Sequence, residues 1–354
     1  MANLERVAAM TRGLGASLRP HVKTHKSPEI VRRQLAAGAR GVTAATLREA
    51  EMAIEAGAGD VLVAYPPVGT WRLEAIDRLL DRARVIVACS ELAHVEALAT
   101  LDRPVEYYWE IDSGTGRLGT PPGEPTADTL VAAAALTSAR LAGIMAFAGH
   151  AYAARGTAAA AAAEEAGALA ATVRALRARG IDPGEISTGV TPLSATAVPG
   201  ATEYRFGNYA FCDATQVALG SAALDQCALG VVSTVVGRPT PDRVILDAGS
   251  KALAAERMSE ATDTFAIVRR HPELRVERLY EEHAICRVEG RTTLSVGDRV
   301  EVVPNHACAC ANLHEAYVVR LADGGEARWP IAARGWDLQT PAMLPAAGWG
   351  DRES

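Results

Sequence analysis

Eight short apolar runs, set between helix-like stretches over the first two-thirds of the chain, constrain the fold more than any other feature. They are Leu18–His25, Gly41–Thr46, Asp60–Pro66, Arg84–Ser90, Val105–Asp112, Leu141–Gly149, Glu185–Thr191 and Glu203–Phe211. Several, such as Val61-Leu-Val-Ala and Val85-Ile-Val-Ala, are continuous rather than alternating. Strands that are apolar on both faces belong in a parallel sheet covered on both sides. The stretches between them carry helix punctuation. Pro28–Ala37 has Ser27 as N-cap and Pro28 at its first position and stops at Gly38; Thr46–Ala56 stops at Gly57; the Ala- and Glu-rich Thr157–Arg179 stops at Gly180. Eight such alternations point to an α/β fold of the TIM type, a (β/α)₈ barrel. An open doubly wound sheet would be finished well before residue 200.

From about residue 220 the texture changes. Val231-Val-Ser-Thr-Val-Val, Arg243-Val-Ile-Leu-Asp, Arg299-Val-Glu-Val-Val and Ala316-Tyr-Val-Val-Arg are β-rich and have no long helix between them. They read as an antiparallel β domain following the barrel. With 354 residues, 49% of them hydrophobic, the chain exceeds what one core usually sustains, so two domains are expected, 1–220 and 221–354. The net charge of −6 is interspersed along the chain and offers no basic patch to nucleic acid or to a membrane surface. No apolar run reaches the ~18–20 residues of a membrane span. The start, Met1-Ala-Asn-Leu-Glu-Arg, lacks the features of a secretory signal. Six cysteines (Cys89, Cys212, Cys227, Cys286, Cys308, Cys310) follow no framework of spacings. They read as reduced thiols of a cytoplasmic protein, some of them available to a metal.

Barrel active sites form where strands end at the C-terminal face, and residues able to do chemistry collect there. The first strand ends in Arg19-Pro-His21-Val-Lys23-Thr-His25-Lys26. Lysine within a strand is unusual, because a buried ammonium must be paired or lose its proton. Alternation puts His21, Lys23 and His25 on one face, where cationic neighbours favour the neutral amine that forms Schiff bases. An exposed basic strand end is the plainer alternative. Thr188-Gly-Val-Thr191 and Gly207-Asn208-Tyr209, after strands seven and eight, have the small, hydroxylated character of a barrel phosphate site, although Gly and Thr also simply make turns. In the β domain, Pro304-Asn-His306-Ala-Cys308-Ala-Cys310 alternates polar residues with alanine. On a strand, His306 and Cys308 face the same way, and an imidazole with a thiolate favours zinc with positions left for water or substrate. Small buried cysteines beside a surface histidine would give the same pattern.

Together these segments resemble the fold-type III pyridoxal-phosphate enzymes of alanine racemase-like fold, and among them the eukaryotic-type D-serine dehydratase and D-threonine aldolase family. The resemblance is carried by Arg19-Pro-His-Val-Lys-Thr-His-Lys26, Asp112-Ser-Gly-Thr-Gly-Arg117, Thr191-Pro-Leu-Ser194, Gly207-Asn-Tyr-Ala-Phe-Cys-Asp213 with Gln216 and Leu219-Gly-Ser221, Glu282-His283 and Pro304-Asn-His-Ala-Cys308. They occur in family order across residues 18–336. The resemblance implies that Lys23 carries pyridoxal 5′-phosphate and then serves as catalytic base, with His21 beside it. It sets Arg117 against the cofactor's phenolate edge and Phe147 against its ring. It gathers Thr188, Gly189, Thr191, Gly207, Asn208 and Tyr209 about its phosphate. Arg205 would be aimed at the pyridine nitrogen, as in alanine racemases. His306 and Cys308 would hold Zn²⁺, or another divalent ion such as Mn²⁺, near the substrate's β-hydroxyl.

The same resemblance implies a D-amino acid substrate and a homodimer. It also sets the start of the chain within the family's first helix, without the family's leading strand. Aldolases of the family usually carry His-x-Asp as the metal motif, so His306-x-Cys308 favours the dehydratase branch. The expected reaction is therefore β-elimination to a keto acid and ammonia, with retro-aldol cleavage to glycine and an aldehyde as the alternative. A racemase would need a second base, for which Tyr280 and Tyr317 are candidates. A non-catalytic cofactor carrier would need neither a second domain nor the His-x-Cys pair.

Overall fold

The computed structural model describes residues 1–136, 138–257 and 259–337; the last stretch of the expected second domain, 338–354, lies outside the described residues. The eight runs form eight parallel strands: β1 (Ser17–Leu18), β2 (Val42–Ala44), β3 (Asp60–Val63), β4 (Arg84–Cys89), β5 (Val105–Ile111), β6 (Ala139–Ala146), β7 (Glu185–Thr188) and β8 (Glu203–Tyr204). The ladder runs β1-β8-β7-β6-β5-β4-β3-β2. Its ends are joined by Arg40 N donating to Leu18 O and Thr43 N to Pro20 O, both at 2.9 Å, and by a bridge between His21 and Thr43. The continuous apolar strands are buried on both faces, as Val61, Leu62, Val85, Ile86 and Val87 show. The helices fall where the punctuation placed them, at Pro28–Ala36, Leu47–Glu55 and Ala158–Ala178. Ser27 occupies the N-cap position, yet its hydroxyl makes no capping bond; its amide donates instead to His25 Nδ1.

Ions close the N-terminal end of this barrel. Arg19 is fully buried, with Nε 2.8 Å from Glu203 Oε2 and Nη1 2.6 Å from Asp60 Oδ1. Glu203 also accepts from Ser187 Oγ at 2.6 Å. Removing one member of a buried ion cluster strands the others without water. Arg19→Met is expected to cost about 3–5 kcal/mol, read as a shift in the urea midpoint; a loss under ~1 kcal/mol, the scale of a surface pair, would disprove this role.

The second domain is a closed antiparallel barrel of β9 (Val231–Thr240), β10 (Arg243–Leu246), β11 (Ala266–Val268), β12 (Leu274–Leu279), β13 (Ala284–Val288) and β14 (Arg299–Pro304), in the order β10-β13-β12-β11-β14-β9. It has its own core, which includes Val235, Leu246, Val276, Cys286 and Val302. A hairpin, β15 (Ala316–Arg320) and β16 (Glu326–Pro330), then returns to the first domain. Tyr317, Ile331 and Ala333 join the core of the parallel barrel, and the Arg33 guanidinium lies 4.5 Å over the Trp329 ring. Among the described residues, no helix is long and apolar enough to cross a membrane.

Candidate active site

Strand β1 gives out after two residues. Backbone bonds carry on as far as His21, whose amide donates to Phe206 O at 2.8 Å, and the chain then winds into a 3₁₀ turn at Val22–Thr24. Lys23 therefore sits on a turn above the strand, not within it. The common face expected for His21, Lys23 and His25 does not form. His21 Nδ1 accepts from Lys23 N at 3.4 Å, whereas His25 turns inward between Ser27 N and Gln34 Oε1, each at 3.2 Å. Burial first, and then the charges of Lys23 and Arg205, hold His21 well below the usual histidine range.

The turn is gripped from the C-terminal side of the molecule. Lys26 adopts left-handed backbone with φ 49°, an uncommon conformation for a non-glycine residue. Its ammonium donates to Asn312 Oδ1 at 2.7 Å and Gly335 O at 3.1 Å, with Glu49 Oε1 at 3.4 Å. Tyr317 donates its hydroxyl to His25 O at 2.7 Å, so this candidate second base is committed to a structural contact; Tyr280 is about half exposed.

Burial also lowers the pKa of His25 to about 4, against which the Gln34 and Ser27 bonds work only in part. The folded state thus binds this proton more weakly than the unfolded chain. Stability from a neutral His25 is complete above pH ~6.5 and is lost as pH falls towards 4, by about 3 kcal/mol. His25→Gln is expected to flatten the fall of the urea midpoint across that window. An unchanged slope would rule out His25 as its source.

Loops from β7 and β8 close on the same turn. Gly207 approaches so near that a Cβ there would lie 3.1 Å from His21 Cβ and 3.2 Å from Thr24 Oγ1. Gly189 has φ 119°, and a Cβ there would meet Arg205 N at 2.9 Å. Thr188 is fully buried, yet its hydroxyl has no hydrogen-bond partner. A buried hydroxyl left over beside backbone that only glycine can adopt fits a phosphate cradle. Thr191 Oγ1 accepts from Tyr209 N at 3.1 Å. Two side chains expected in the cradle are engaged elsewhere: Tyr209 accepts from Gln34 Nε2 at 3.1 Å through its hydroxyl, and Asn208 gives its amide to Asp213. Arg205 is buried, donating to Ser187 Oγ at 2.5 Å and Ala146 O at 2.8 Å. Burial presses its pKa down, with Glu203, Glu165 and Glu110 opposing. Arg117 is exposed on the loop after β5, 5.1 Å over the Phe147 ring and 3.5 Å from Glu110. Asp112 ties that loop back through the amides of Gly114 and Thr115, at 2.9 and 2.8 Å.

The His-x-Cys segment is not a strand. β14 stops at Pro304, and His306 becomes the N-cap of a short helix, Ala307–Ala311, because Ala307 N donates to the buried Asp213 at 2.9 Å. Asn305 anchors the bend by accepting from Thr215 Oγ1 at 2.7 Å and donating to Thr264 O at 2.6 Å. His306 and Cys308 still come together, and Cys308 Sγ reaches Thr24 Oγ1 at 3.1 Å. His306 Nδ1 lies 2.7 Å from Glu256 Oε2. Burial opposes a charge on His306, but Cys308 and Glu256, with Asp213 beyond, outweigh it and push its pKa up to about 10. No group of three His, Cys, Asp or Glu side chains is arranged to hold an ion among the described residues. Two convergent donors with further positions open fit a catalytic divalent ion rather than a structural one. A cleft of about 760 Å³ opens alongside, lined by His150, Tyr152, Arg257, Ser259 and Asp263 among others. Sequence reasoning missed Glu256, which stands in a patternless loop, and Asp213 as an anchor. Thr24 was in plain view inside the octapeptide.

A parallel barrel whose mouth holds a lysine turn and close-packed glycine loops, met by an imidazole and a cysteine that follow a β-barrel, is the architecture of a fold-type III cofactor-dependent enzyme. Residues 1–214 match the family model of the alanine racemase N-terminal domain, and residues 228–320 that of the putative serine dehydratase domain. D-threonine aldolase from Arthrobacter sp. is 33% identical over 95% of this chain and 90% of its own. The structure of D-threo-3-hydroxyaspartate dehydratase from Delftia sp. HT23 superposes with a TM-score of 0.86 at 30% identity, over 95% of each chain. A cysteine-to-alanine variant of that dehydratase, solved in the metal-free form, gives 0.85 at 29% over 95% of each chain. The chain belongs to the D-serine dehydratase and D-threonine aldolase family of pyridoxal-phosphate lyases.

Proposed function

We propose that the protein is a pyridoxal 5′-phosphate- and divalent-metal-dependent lyase that converts D-β-hydroxy amino acids to a keto acid and ammonia by β-elimination. One observation carries this reading: the lysine turn of one domain and the His-x-Cys pair of the other meet at a single contact, Thr24 Oγ1 to Cys308 Sγ, 3.1 Å apart. That contact, between the residue next to Lys23 and Cys308, supports a base at Cα–H and metal donors at the β-hydroxyl acting on one substrate. A dehydratase relative is described in a metal-free form, so that enzyme has a metal to lose, which supports a divalent ion in this reading.

When bound, the cofactor supplies an electron sink at Cα and the metal a Lewis acid at the β-oxygen. Lys23 would hold the cofactor and would serve as the general base for the Cα proton. His21, kept neutral, accepts from the Lys23 amide and fixes the turn. Thr188, Gly189, Thr191, Gly207, Asn208 and Tyr209 would hold the phosphate, the last two through backbone rather than side chain. Arg117 would meet the phenolate edge, Phe147 the ring and Arg205 the pyridine nitrogen. His306 and Cys308 would hold Zn²⁺ or Mn²⁺. A cytoplasmic homodimer completes the proposal, on the family resemblance.

The identity to a D-threonine aldolase favours a second reading, in which the Cα–Cβ bond breaks instead. Product analysis separates the two. The holoenzyme with Zn²⁺ is expected to release pyruvate and ammonia from D-serine, and oxaloacetate and ammonia from D-threo-3-hydroxyaspartate. Glycine and acetaldehyde from D-threonine, without keto acid from either of the others, would replace elimination by retro-aldol cleavage. Racemisation of alanine with no lyase product would overturn both.

A further inference from the structure

Each of the two donors at the mouth is backed by a polar group from a different element. Behind His306 stands Glu256, with its Oε2 2.7 Å from Nδ1. That is a charge-assisted length, and it leaves Nε2 as the nitrogen free to bind. Behind Cys308 stands Thr24, whose Oγ1 lies 3.1 Å from Sγ. A metal-binding cysteine is a thiolate and carries no proton, so the hydroxyl must be the donor. Thr24 is wholly buried, packed against Gly207, and it is the residue next to Lys23.

We infer that Thr24 and Glu256 are positioning residues for the metal: Glu256 fixes the ring of His306, and Thr24 anchors the thiolate of Cys308 while setting its distance from Lys23. This rests on the reading of His306 and Cys308 as metal donors. Groups that orient metal ligands govern affinity almost as strongly as the ligands do, by about 10–100-fold. The O–H···S bond also draws electron density from the sulfur, which leaves a bound cation a stronger Lewis acid towards the departing hydroxyl. Burial ranks the two residues. Thr24 acts where no water competes, whereas the Glu256 side chain is 48% exposed and its pull is screened. Thr24 therefore carries the larger effect.

Zn²⁺ affinity of the cofactor-loaded, metal-stripped protein, measured by competition with a chromophoric chelator, tests this directly. Thr24→Val keeps the volume and removes the donor; it is expected to weaken binding toward the 100-fold end of that range, with turnover at saturating Zn²⁺ also lowered. Thr24→Ser restores the hydroxyl and is expected to bind within about threefold of the parent, a rescue that a packing role would not give. Glu256→Ala is expected nearer tenfold, and Glu256→Gln less, since an acceptor remains. Cys308→Ala serves as the reference for the metal site itself. If Cys308→Ala loses Zn²⁺ while Thr24→Val and Glu256→Ala bind like the parent, the inference is wrong and the metal site stands. Equal losses in Thr24→Val and Thr24→Ser would also overturn it. If Cys308→Ala binds like the parent, the metal reading falls and takes this inference with it.

Discussion

Replacing Lys23 by alanine is expected to abolish the visible absorption band of the cofactor-loaded protein and to lower turnover by about 10⁴-fold. Both effects follow from one amine, which would hold the cofactor covalently and then move the Cα proton. The fold does not depend on it. The turn is held by Lys26 on Asn312 and Gly335, by Tyr317 on His25 O, and by His25 on Gln34. The variant should therefore unfold at the parent's urea midpoint, and the loss reads as chemistry rather than stability. Lys23→Arg should be equally inactive, because a guanidinium retains its proton under all ordinary conditions. A band that persists in Lys23→Ala would remove this residue from its role and send the search to Lys26, the other lysine of the octapeptide.

Stripping the divalent metal is expected to lower turnover by about 10³-fold, the equivalent of several kcal/mol of charge stabilisation on the departing oxygen. The cofactor band should survive, since Gly189 and Gly207, the proposed cradle, follow strands of the parallel barrel, whereas His306 and Cys308, the proposed metal donors, follow β14 of the antiparallel one. Zn²⁺ or Mn²⁺ should restore activity to the parent and not to Cys308→Ala. Full activity after exhaustive chelation would leave His306 and Cys308 without a catalytic part.

Much of this was legible in the sequence because parallel strands buried on both faces leave an unmistakable composition. Val61 to Val63 and Val85 to Val87 could hardly be anything else, and Gly38, Gly57 and Gly180 stop their helices where stated. The errors share a cause. The sequence pattern runs β1, β7 and β8 on past their ends into the mouth, where the chain coils into 3₁₀ turns at Val22–Thr24, Thr191–Leu193 and Asn208–Ala210. Period-2 reasoning fails there because the barrel stops supplying neighbours. The alternation that puts His306 and Cys308 on one face of a strand gives the wrong local geometry: the two residues lie at the N-terminal end of a short helix instead. Motif order pointed to Lys23, but no local pattern could announce Glu256, whose partner lies 50 residues away.

The anchoring of Lys26 limits how far the two barrels can part. Its ammonium ties the first barrel to Asn312 and Gly335, Tyr317 ties it again through His25, and Asp213 holds the His306 helix from the opposite side. Segments riveted this way cannot swing apart without drawing Lys23 away from His306 and Cys308. A cleft of about 760 Å³ lined by His150 and Arg257 stays open while these ties hold. A seam tied this firmly is expected to leave substrate on-rates indifferent to agents that stiffen it further, whereas added bulk at that cleft is expected to slow them.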